Sequence, residues 1–268
     1  MMTSAVRSEL RKFLSTRLWW GMALAMFLGG AALAALLGLI LTSNIELGQG
    51  APGVPTNDLE LARTVFTGGT DVGYLLTLAV GVMMVGSEYR HKTITATFLA
   101  IPTRATVMGA KTVALLAIGA AYGVVSLAGS VSTGGLILQA RGHHPFADPS
   151  IWRTLALALL VLALWSLIGL GVGILIPNQV AALLIAVGVA WIVEPIVGAV
   201  LPLTDWGGHV APYLPSQATH AALGVTTAGL SGPVPNALSW WGGALVLGGY
   251  AVVMAGLGTW RTLRADIS

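Results

Sequence analysis

The sequence predicts an all-α, polytopic membrane protein with six transmembrane helices in a single domain spanning residues 1–268. Three observations predict it. First, 56% of the 268 residues are hydrophobic, mean hydropathy is +0.84, and only 9% are charged, where a soluble domain carries about 25% charged residues. Second, the apolar residues form six runs long enough to cross a bilayer. Third, the few charges collect between those runs. No separate soluble domain fits between them, since the longest interval, Pro202 to Asn236, is itself about half apolar.

Met1 to Arg17 places Arg7, Arg11, Lys12 and Arg17 against Glu9 alone. Val6, Leu10, Phe13 and Leu14 recur at helical spacing, so residues 1–17 are predicted to form an amphipathic helix on the inner membrane surface, with Glu9, Lys12 and Arg17 at its polar positions. The first span, 18–41, is a 24-residue apolar run from Leu18 to Leu41. At 1.5 Å per residue it covers about 36 Å, enough for a hydrocarbon core of about 30 Å. A secretory signal has an apolar region of only about 7–15 residues, so this run reads as a retained span.

The remaining spans are predicted at about 64–86, 112–138, 155–176, 180–201 and 237–260. The second has to recruit the polar Thr64–Asp71 stretch, so its outer end needs protein or water around it. Asn57 or Asp58 is placed to cap a short helix leading into it. Pro177-Asn178-Gln179 makes a tight turn between spans four and five. Before span six, Gln217 to Leu230 reads as a helix dipping partly back toward the membrane.

Arg and Lys orient the chain. With the N-terminus inside, the inner face carries Arg7, Arg11, Lys12, Arg17, Arg90, Lys92, Arg104, Lys111, Arg261 and Arg264; the outer face carries Arg63, Arg141 and Arg153. That bias predicts cytoplasmic termini and a cytoplasmic Gly86–Lys111 loop. Ten of the 13 basic residues are Arg and there are 35 Gly, which fits a GC-rich bacterial genome and hence a bacterial inner (plasma) membrane. Basic residues that flank spans are a topology signal, and no nucleic-acid partner is expected.

Function classes fall away in turn. With no cysteine, disulfides, thiol catalysis and iron–sulfur ligation are excluded. Neither H-E-x-x-H nor G-x-S-x-G occurs. His143, His144 and Asp148 lack a convergent further ligand, so no metal site is expected, and His209 and His220 read as ordinary loop residues. Gly109-Ala110-Lys111-Thr112 lacks the glycines of a phosphate loop and stands at a membrane-helix start. No catalytic residue is expected.

What remains is the Gly86–Lys111 loop. Ile94, Phe98 and Ile101 share one helical face, with Thr97 beside them. Pro102 ends that segment, and Thr103 is placed to cap a helix running from Arg104 into span three. The apolar face needs a partner, and the flanking charges suit a polar-rimmed protein interface. The pattern G-x-E-Y-R-H-x-T followed by P-T-R-x-x-V-x-x-A-K resembles the cytoplasmic loop of type-2 ATP-binding-cassette (ABC) transporter permeases. The N-terminal SELRKFLSTRLWW is similar to that family's interfacial helix, and APYLPSQAT to its partly inserted stretch before span six.

The resemblance implies a membrane-spanning permease subunit of an exporter and a coupling helix between spans two and three. It places Glu88, Tyr89, Arg90, Thr93, Ile94, Phe98, Pro102, Arg104 and Lys111 at the interface with a separate ATPase subunit. ATP and Mg would be bound by that partner, with no cofactor in this chain. It also implies a second permease subunit, identical or different. Spans one and five then become contact surfaces, in keeping with small-residue stripes such as Gly21, Ala25, Gly29 and Gly30, Ala34, Gly38.

Glu194, followed by Pro195, falls inside span five, roughly 21 Å from its inner end. An intramembrane carboxylate is a candidate for the translocation pathway. The same residue supports a rival reading, a stand-alone secondary transporter or channel using Glu194 as an ion or proton site.

Overall fold

The computed structural model describes residues 2–43, 55–91, 103–204, 206–225 and 237–264, and all their regular structure is helical. Helix α1 is Met2–Leu14, α2 Leu18–Leu41, α3 Asp58–Thr67, α4 Thr70–Arg90, α5 Arg104–Ala140 and α6 Ser150–Leu175. Helix α7, Gln179–Gly188, passes through a π-helical turn at Val189–Val193 into α8, Glu194–Val200. The short α9, Gly207–Val210, precedes α10, Pro215–Leu223, and α11, Trp240–Arg264. Six stretches are long and apolar enough to cross a membrane: α2, α3 with α4, α5, α6, α7 through α8, and α11. The chain is a multi-pass membrane protein.

Spans two and four form the centre. In their apolar stretches 56% and 61% of residues are buried, against 22% in each of spans one, five and six. Glycine makes that centre possible. A methyl group on Gly81 would run into the Ser166 carbonyl of α6, and one on Gly169 into the Leu78 carbonyl of α4. The two backbones touch because neither residue has a side chain. Span one packs on α5 in the same way, with Gly30 against Ser126 and Gly129 against Phe27. Of the two stripes in span one, Gly30, Ala34 and Gly38 are buried, whereas Ala25 is exposed and Gly21 meets no neighbour within 4 Å.

Local chemistry sets the element ends. Asn57 caps α3 by accepting from Glu60 N at 2.9 Å. Asn178 caps α7 by accepting from Val180 N and Ala181 N, so Pro177-Asn178-Gln179 turns the chain as the sequence predicts. Thr103 precedes α5, but its hydroxyl donates to Thr106 Oγ1 at 2.9 Å rather than capping a backbone N–H. Helix α10 stops at Leu223 because Gly224 takes a left-handed conformation (φ +67°). This is short of the predicted Leu230, and residues 226–236 lie outside the described residues.

Helices α3 and α4 are joined by Gly68-Gly69 and run nearly as one. The polar outer end of span two, where Thr67 and Thr70 are buried, is covered by protein. Helix α10 lies over the centre at that end, and Trp165 of α6 stacks on Tyr74 (4.4 Å, 19°) while donating Nε1–H to Thr219 Oγ1 at 2.9 Å.

Candidate functional site

At the N-terminal end of the bundle, four charged side chains from three helices meet in a buried ionic network. Lys111 Nζ lies 2.6 Å from Glu9 Oε2 and 2.8 Å from Glu88 Oε1. Lys12 Nζ lies 2.7 Å from Glu9 Oε1 and 3.0 Å from Glu88 Oε1. The side chains of Lys111, Glu9 and Glu88 are 2%, 5% and 8% exposed, so water contributes little to their solvation. Two positive and two negative charges balance, which is what allows them to be buried at all. Burial raises the Glu9 carboxyl, but the charges and hydrogen bonds of Lys111 and Lys12 outweigh it and hold Glu9 below the ordinary value of 4.5. Burial likewise lowers Lys12, and its bonds to Glu9 and Glu88 raise it above 10.5.

Why the network forms is visible in α1. Its inner face is Ala5 and Glu9, buried, with Val6, Leu10 and Phe13 half-buried. Leu14, expected on the apolar face, is 56% exposed. The face is thus rotated so that Glu9, predicted to be polar surface, points inward to the first turns of α5. Phe13 meets Tyr122 edge-on at 6.0 Å, and Tyr122 donates to Trp19 O at 3.0 Å, which fixes the elbow between α1 and α2.

Of the residues predicted to form the coupling interface, Glu88 and Lys111 are brought together, with the interfacial residues Glu9 and Lys12 as their partners. Tyr89 is half-buried, packed against the core. Arg90 is exposed at the end of α4, and Arg17 is exposed beyond α1. Arg104 is half-buried and donates to Thr262 O of α11 at 2.9 Å. Arg261 of α11 donates to the Ile174 and Leu175 carbonyls at the end of α6. Arg104 and Arg261 together brace three helix ends at this face, those of α5, α6 and α11. Thr93, Ile94, Phe98 and Pro102 lie outside the described residues.

Glu194 is buried, 7% exposed, and accepts from Ser216 N at 2.7 Å. It therefore caps α10 from another element, where Leu214 at the cap position has no side chain that can do so. The π-helical turn before it has a cause in the sequence. Pro195 has no N–H and its ring crowds the carbonyl of Trp191, four residues back, so the helix widens over Val189–Val193. Glu194 also lines a cavity of about 360 Å³ whose other walls include Leu78, Trp165, Tyr250 and Met254.

Sequence reasoning missed the polar pairing at the opposite end of the bundle. His220 Nε2 pairs with Asp71 Oδ1 at 2.9 Å, joining α10 to the start of α4. His143 Nδ1 lies 2.8 Å from Asp58 Oδ1, and His144 N donates to Asp58 Oδ2 at 2.8 Å. The adjacent histidines thus fasten the α5–α6 loop to α3.

These features define a class: a multi-pass, all-helical membrane protein whose N-terminal helix is clamped by buried charge to the ends of spans two and three. No family model matches the chain, and no curated protein matches it.

Proposed function

We propose that this chain is the membrane-spanning permease subunit of an ABC exporter. It works with a second permease subunit and with two ATPase subunits that bind ATP and Mg. The ionic network of Glu9, Lys12, Glu88 and Lys111 is the observation that carries the reading. It ties α1, the end of α4 and the start of α5 into one unit on both sides of the segment that resembles a coupling helix. A push delivered to that segment would then move three helices together, and Arg104 and Arg261 would pass the motion to α11 and α6. Glu194, in a cavity beside a widened helical turn, is the candidate for contact with cargo.

The test is co-expression with an ABC ATPase encoded beside this chain. Arg90 is the cleaner interface probe, because it is exposed while Arg104 braces α11. The expected result is that the ATPase co-purifies and that Arg90→Glu weakens its retention about tenfold, the worth of one charge-assisted contact. Transport that follows a proton gradient, survives vanadate and needs no ATPase would overturn the proposal in favour of a secondary transporter.

A further inference from the structure

A cleft of about 460 Å³ opens at the N-terminal end, between α1, the last turns of α4 and the start of α7. Its volume is in the range of ligand pockets, about 300–1,000 Å³. Its lining is mixed: Phe13, Leu18, Met83 and Met84 are apolar, and Glu9, Lys12, Glu88 and Gln179 are polar, with α4 turning from Val80 and Met84 to Ser87 and Glu88 toward its end. Such a lining, at the end of a transmembrane bundle, suits a molecule that carries both a headgroup and acyl chains.

Two oxygens of this lining, Glu88 Oε2 and Gln179 Oε1, are buried without a hydrogen-bond partner. Both are acceptors, so what they lack is an N–H or O–H donor. Neither lysine supplies it. Lys12 and Lys111 both bond to the other oxygen of Glu88, Oε1, and His91 is turned through Nδ1 to the Ser87 carbonyl. Glu9 and Glu88 already balance Lys12 and Lys111, so a bare cation would leave the site with excess positive charge. A ligand carrying an ammonium and a phosphate together would not. Lys12 is 45% exposed and uses two of its three donors on Glu9 and Glu88, which leaves one for a phosphate oxygen.

We propose that this cleft binds the headgroup of an aminophospholipid from the leaflet it faces. The ammonium donates to Glu88 Oε2 and Gln179 Oε1, the phosphate takes the remaining Lys12 donor, and the upper acyl chains lie on Phe13, Leu18, Met83 and Met84. The site discriminates by N–H: a choline headgroup has the same charge but no hydrogen on nitrogen to donate. This inference does not depend on the ABC reading.

The experiment is lipid titration of the full-length protein in detergent, read by native mass spectrometry. The probes are phosphatidylethanolamine and phosphatidylcholine with identical acyl chains. Phosphatidylethanolamine should bind about tenfold tighter, as expected for one hydrogen bond to a charged group. Glu88→Gln and, separately, Gln179→Leu should each erode that preference, and Met84→Trp should weaken both lipids by filling the cleft. Gln179 takes no part in the ionic network, so its variant carries the test if Glu88→Gln fails to fold. Equal affinity for the two lipids, or a preference untouched by Gln179→Leu in folded protein, overturns the proposal. So does displacement of the lipid by soluble phosphoethanolamine at equal concentration, which would make this a site for a soluble amine.

Discussion

An ammonium group at Lys111 persists among apolar side chains only because two carboxylates reach it. Lys111→Met would leave the buried Glu9 and Glu88 with only the half-exposed Lys12 between them, a loss of about 3–5 kcal/mol. The expected result is a clear drop in thermal midpoint in detergent. Neutralising the network's three buried members (Glu9→Gln, Glu88→Gln and Lys111→Met together) while keeping the half-exposed Lys12 should recover most of it, since a buried ion cluster is often no more stabilising than neutral packing. Docking of α1 should also follow pH in a defined way. Glu9 is depressed, so its contribution is present above 4.5 and lost as pH falls through its lower folded value; Lys12 is raised, so its contribution is present below 10.5 and lost as pH climbs past its folded value. Spin labels at Ser8→Cys and Ala105→Cys, specific because the chain has no cysteine, should report a constant distance across the middle of that window and separation on acidification. At Glu194 the two roles divide by substitution. Glu194→Gln keeps an oxygen for Ser216 N and should preserve folding while altering transport. Glu194→Ala leaves that N–H unpaired and should cost about 1–3 kcal/mol.

Elements were legible in the sequence wherever the signal was local. An apolar run of 24 residues announces α2, Asn57 and Asn178 announce the starts of α3 and α7, and Pro195 marks a disturbed helix. What stayed hidden was contact between distant positions. Glu9 and Lys12 are three residues apart and visible as a pair, but Lys111 lies 102 residues from Glu9, and His220 lies 149 residues from Asp71. No periodicity encodes such a meeting. The charges were singled out one by one, by their rarity or by resemblance, without showing that they form one network. The glycines show the same limit, since 35 of them supply many stripes and only the packed structure tells Gly81 and Gly169 from Gly21. Gly169→Ala should push α6 off α4 and cost about 1–3 kcal/mol, measurable as a lower denaturation midpoint, whereas Gly21→Ala should change it little.

For the whole molecule, the thinly buried faces of spans one, five and six are the surfaces left for lipid, and the ones on which the proposed second subunit would have to pack. The distribution of Arg and Lys predicts that the N-terminal end is cytoplasmic. In intact cells an impermeant thiol reagent should therefore label Ala147→Cys, in the exposed α5–α6 loop, and spare Ser15→Cys; the reverse pattern would invert the topology. The ionic network also fixes an order of events during synthesis. Lys111 leaves the ribosome 102 residues after Glu9, roughly 5–20 seconds later at about 5–20 residues per second. Until then Glu9 and Glu88 have only Lys12 between them, and the second, buried cation arrives 23 residues after Glu88. A nascent chain halted before Lys111 lacks the buried cation that joins its N-terminal helix to α5, so the first helix made is among the last to be fully fastened.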